Sequence, residues 1–106
     1  MSEFIMVYVT THSKGEAEKI ARVLLEERLI ACVNIISSVS SYFHWNGKID
    51  STEECLMLMK TRADLFEFLE SRIRILHSYD VPEVLAVPIV NGSKEYIDWL
   101  SSVLKH

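Results

Sequence analysis

The Asn46-Gly47 dipeptide lies between two β-rich runs, and it limits the possible folds of this chain more than any other feature. Both residues tolerate the positive φ angles of a tight turn, so Ala31 to Thr61 reads as one long β-hairpin. The entering arm carries Ala31, Cys32, Val33, Ile35 and Ile36, then Ser37, Ser38, Ser40 and Ser41, then Tyr42, Phe43 and Trp45. The returning arm passes Lys48-Ile49 and the acids Glu53 and Glu54, runs apolar from Cys55 to Met59, and ends in Lys60-Thr61. Strands in globular domains usually have about five or six residues. Arms this long in a 106-residue chain are expected to protrude beyond their own domain.

The flanking segments supply the rest of an α+β pattern. Phe4 to Thr10 is an apolar, β-branched run suited to a central strand buried on both faces. Ser13-Lys14-Gly15-Glu16 has the form of a capping box, and the helix after it buries Ala17, Ile20, Ala21 and Leu24 and ends near Leu29. Thr61 is expected to cap a second helix, with Asp64 in its first turn and Leu65, Leu69, Ile73 and Leu76 on one stripe. Arg72, Arg74 and His77 fall in its last two turns, where cations complement the helix dipole. Val81-Pro82 forces an extended exit. Glu83 to Val90 reads as a fourth strand, and Pro88 places it at a sheet edge or on a bulge. Asn91-Gly92 turns the chain, Ser93 caps, and Tyr96, Ile97, Leu100 and Leu104 mark a final amphipathic helix. The order β-α-β-β-α-β plus one helix predicts a ferredoxin-like fold over residues 1–106, a single domain with an extended central hairpin.

Composition narrows the function classes. A net charge of −4 argues against nucleic acid, whose backbone needs a basic surface. No apolar run approaches the ~20 residues of a membrane span, and the N-terminus lacks a secretory pattern, so a cytoplasmic location is expected. Cys32 and Cys55 lie in apolar strand sequence outside any Cys-x-x-Cys pair and read as reduced, buried thiols.

Other users of this topology leave no signature here. An RNA recognition motif would need aromatics on the third strand, where the chain has Glu-Cys-Leu-Met-Leu-Met-Lys. A copper-chaperone domain would need two thiolates after the first strand, where Thr10-Thr11-His12 stands. An acylphosphatase-like enzyme would need an arginine in that loop, and none precedes Arg22. No nucleophile–histidine–carboxylate set or glycine-rich phosphate loop is visible, so no enzymatic activity is expected. The segment His77-Ser78-Tyr79-Asp80-Val81-Pro82-Glu83 reads either as a plain helix end with a dipole-paired histidine, or as a polar ligand pocket able to take a divalent metal. Trp45 and Tyr42, at a tip that cannot bury them, point to a contact surface between chains. Lys60, beside the expected helix start at Thr61, favours an anionic group, unless it is a structural lysine paired to Glu54 or Glu83.

Several stretches together resemble the divalent-cation tolerance (CutA) family: Ala31-Cys32-Val33-Asn34-Ile35, Trp45-Asn46-Gly47-Lys48-Ile49, Glu54, Lys60-Thr61, His77-x-Tyr79-x-x-Pro82-Glu83 and Tyr96-x-x-Trp99. The resemblance implies a PII-like homotrimer in which the hairpins pair with neighbouring subunits and cover exposed sheet edges. It further implies a role in the response to divalent metal ions, without enzymatic activity or a required cofactor. Copper or zinc would bind at clefts between subunits, with His77 as the metal-ligating candidate. Lys60, Tyr79 and Glu83 would line those clefts, and Trp45 would close them from the next chain. A PII-like site for a small anionic ligand and a structural adaptor that stabilises a partner protein are the alternative readings. The chain departs from the family pattern at Ser78, commonly proline, at Phe43, usually tyrosine, and near Thr10, where some members carry a cysteine. Without that thiol, any copper site using it would be weakened.

Overall fold

In the computed structural model, which describes residues 3–106, the elements run β1 (Phe4–Thr11), α1 (Lys14–Glu26), β2 (Cys32–Trp45), β3 (Lys48–Arg62), α2 (Phe66–Leu76), β4 (Val84–Pro88) and α3 (Lys94–Val103). The strands form one antiparallel sheet in the order β2-β3-β1-β4. This is the ferredoxin-like α+β arrangement that the element order implies.

The hairpin closes where the sequence places it. Trp45 pairs with Lys48 across Asn46 and Gly47, whose φ angles are 51° and 74°. Two successive left-handed residues twist the turn in the sense the strands need. The ladder runs from there to the pair Cys32–Lys60, broken once by a register shift between Ile36 and Val39. Ser38, inside that bulge, has a φ of 59°. The hairpin gives the molecule its length, 45 Å against 26 and 23 Å in the other directions.

One face of the sheet is covered. Val7, Val9, Cys55, Met57 and Met59 pack there against Ala17, Ile20, Ala21 and Leu24 of α1 and Leu69 and Ile73 of α2. Alternation along the strands sends Met6, Tyr8, Leu56, Leu58 and Lys60 to the opposite face. Leu85 and Val87 of β4 stand directly opposite Tyr8 and Met6, and both are exposed. β4 is an edge strand, so Pro88 costs no ladder bond on its outer side. A second, smaller cluster joins α3 to the sheet through Phe4, Ala31, Leu65, Leu100 and Leu104.

Local structure differs from the sequence expectation in five places. Thr61 does not cap α2. Strand β3 continues through Arg62, a 3-10 turn covers Ala63–Leu65, and the helix starts at Phe66. The Thr61 hydroxyl is instead buried and donates to the Leu29 carbonyl at 2.6 Å. Only half of the capping box forms: Ser13 Oγ accepts from the Glu16 N–H, but the Glu16 carboxylate turns elsewhere. Ser93 stands at the N-cap position of α3 without a side-chain cap bond, and β4 is shorter than Glu83 to Val90. Cys32 is only partly buried, its thiol 3.1 Å from the Tyr96 hydroxyl, whereas Cys55 is in the core; both are free.

Candidate functional site

A polar cluster forms where β1 ends, α1 begins and the chain leaves α2. Helix α2 stops at Leu76, and His77 turns into extended backbone, which carries its ring inward. His77 Nε2–H donates to the Thr10 carbonyl at 2.7 Å, while Nδ1 accepts the Tyr79 N–H at 3.0 Å. These two bonds define a neutral imidazole with its proton on Nε2. The Tyr79 ring lies 4.8 Å from the imidazole in a tilted arrangement, and its hydroxyl donates to Glu54 Oε2 at 2.8 Å. Burial first, and then the hydrogen bond to the Glu54 carboxylate, push the Tyr79 phenol up to about 12.

Glu16 ties the same cluster to α1. Its carboxylate accepts from the Ser78 N–H at 2.7 Å and from the His12 ring at 2.7 Å, with the His77 ring 3.8 Å away. Burial acts to raise its pKa, but the hydrogen bonds from Ser78 and His12 outweigh it and hold the carboxyl below its usual range. Glu83 falls at the same end of the sheet, one residue before the pair Val84–Val9.

The structure brings His77 and Tyr79 together with Glu83 nearby; it does not bring Lys60 or Trp45 to them within one chain. Lys60 lies six residues along β3 from Glu54, about 20 Å at strand rise. Its ammonium bonds the Asn34 side chain, so it pairs with neither Glu54 nor Glu83. It also has no helix terminus beside it, since α2 begins at Phe66. Trp45 is about as far from Glu54 in the other direction, at the tip, and 63% exposed. Tyr42 and Ile49 are exposed beside it. Among the described residues, no three His, Cys, Asp or Glu side chains group as metal ligands. Both His77 nitrogens are engaged, so a metal there would have to displace the Thr10 carbonyl or the Tyr79 N–H.

Comparison with known proteins assigns this arrangement. The family model for the CutA1 divalent ion tolerance protein matches residues 5–103. The chain belongs to the CutA1 family. It is 44% identical to the divalent-cation tolerance protein CutA of Thermus thermophilus, over 90% of this chain and 92% of that one. It is 43% identical to the chloroplastic CutA protein of Arabidopsis thaliana over 92% of this chain, and spans about half (54%) of that longer relative. The crystal structure of CutA1 from Oryza sativa superposes with a TM-score of 0.96 at 37% identity, covering 99% of this chain and 96% of that one.

Glu16, Glu54 and the Thr10 carbonyl of this cluster were not singled out as site residues by sequence reasoning. Glu16 looked like half of a capping box, Glu54 like a partner for Lys60, and the Thr10 carbonyl is backbone. The tilted His77–Tyr79 pair was legible because both fall in one seven-residue segment.

Proposed function

We propose that this chain is a non-enzymatic divalent-ion tolerance protein that works as a ring of three copies, with ligand clefts between neighbours. The observation that carries this reading is the mismatch between hairpin and protomer: Trp45, Tyr42 and Ile49 stand unburied at the far end of the molecule. An exposed aromatic tip is costly in water unless another surface covers it. The sheet face turned away from α1 and α2 supports the same reading, since Met6, Tyr8, Leu56, Leu58, Leu85 and Val87 leave it apolar beyond the part that α3 covers. Sheets of this kind bury both faces when a second layer is available.

In this reading Tyr79 and Glu83 line the cleft, Trp45 of the next chain closes it, and His77 and Lys60 supply the metal-ligating and anion-directed groups. A copper or zinc ion fits as the ligand only with further donors from a neighbouring chain, because one protomer contributes too few. Lys60 keeps a small PII-like anionic ligand as the competing class. Two free cysteines suit a reducing, cytoplasmic setting. No described helix is long and apolar enough to cross a membrane.

Calorimetric titration with Cu(II), Zn(II) and a nucleotide separates the ligand classes. Heat with a metal ion that is lost in Glu83→Ala supports the metal cleft. Heat with nucleotide alone, lost in Lys60→Ala, assigns the anionic class, and no heat with any of the three overturns the binding role.

A further inference from the structure

Glu54 is a carboxylate with only 9% of its surface exposed, and its sole bonded partner among the described residues is the neutral Tyr79 hydroxyl. No cation among the described residues pairs with it. Burying a charge without a counter-charge is unfavourable, so a cation from outside the protomer is wanted there. Lys48 is the reverse case. It sits directly opposite Trp45 at the hairpin tip, is exposed, and forms no ion pair among the described residues.

The register couples the two. Any surface that receives Trp45 also receives Lys48, because the pair is fixed across Asn46-Gly47. The tip therefore offers an aromatic ring and an ammonium side by side. The cluster at the end of β1 offers the half-buried Tyr79 ring, backed by the buried His77 imidazole, with the Glu54 carboxylate bonded to its hydroxyl. Ring matches ring and cation matches anion.

We propose that Lys48 of one copy forms an ion pair with Glu54 of the next, so that the hairpin tip docks on the His77–Tyr79–Glu54 cluster of its neighbour. The tip and the cluster are different patches of one chain, so each copy donates one and receives the other. Such a head-to-tail contact closes into a ring when the rotation between copies permits. The inference rests on the proposed assembly and deepens it by naming the residues of the contact.

A double-mutant cycle on the dissociation of the assembled protein tests it, using Lys48→Gln, Glu54→Gln and the double variant. Glu54→Gln keeps an acceptor for Tyr79 and removes only the charge. Lys19→Gln on α1 serves as the control for losing an exposed charge. Each of the two single variants is expected to raise the half-dissociation concentration roughly tenfold or more, with the double variant no worse than the weaker single. Lys19→Gln should leave it unchanged. Assembled protein in which the two substitutions act additively would overturn the ion pair and leave the assembly standing. A wild-type chain that is monomeric would overturn both.

Discussion

At the scale of single residues, Tyr79 reports most directly on the cluster. Its hydroxyl is held by Glu54, and ionising it would place two negative charges on adjacent oxygens in a partly dehydrated site. Its pKa is therefore raised from 10.0 to about 12. Because the folded value lies above the unfolded one, the stabilisation is fully present below pH 10 and is lost as pH rises through about 12. Absorbance titration of the tyrosines should show a phenol ionising at about 12, and Tyr79→Phe should remove that step. A step at about 12 that survives Tyr79→Phe would assign it elsewhere. Glu16 works in the opposite sense, its lowered pKa meaning that the carboxylate's contribution is present above 4.5 and is lost as pH falls below it.

At the scale of elements, the strands and the hairpin were legible because their causes are local. Asn46-Gly47 sets the turn, the apolar runs mark the strands, and Pro88 fits the edge strand; which side of β3 is buried was not legible, because Cys55 to Met59 is apolar throughout. The start of α2 was not legible, because a competing long-range bond decides it. Thr61 looks like an N-cap in sequence, yet its hydroxyl is drawn to the Leu29 carbonyl, which no local pattern reveals. The site failed to read out for the same reason: Glu16 and Ser78 are 62 residues apart, and Tyr79 and Glu54 are 25 apart. Thr61→Val keeps the shape and strands that carbonyl, so it should cost about 1–3 kcal/mol in urea unfolding. A loss of the same size in Thr61→Ser, which restores the donor, would show that packing and not the hydrogen bond is responsible.

At the scale of the whole molecule, the hairpin reaches past its own core and carries Trp45 largely exposed at its tip. In the proposed assembly the tip enters a neighbour's cleft, and other copies cover the apolar sheet face. Trp45→Ala should then weaken assembly while the far-ultraviolet circular dichroism of the protomer stays unchanged. The most direct measurement is the mass of the purified wild-type protein by light scattering on a size-exclusion column. A ring of three copies has three times the chain mass of 12.2 kDa, and the mass is expected to fall toward one chain mass in Trp45→Ala at low concentration. A wild-type protein that elutes at 12.2 kDa over the same range of concentration would contradict the ring.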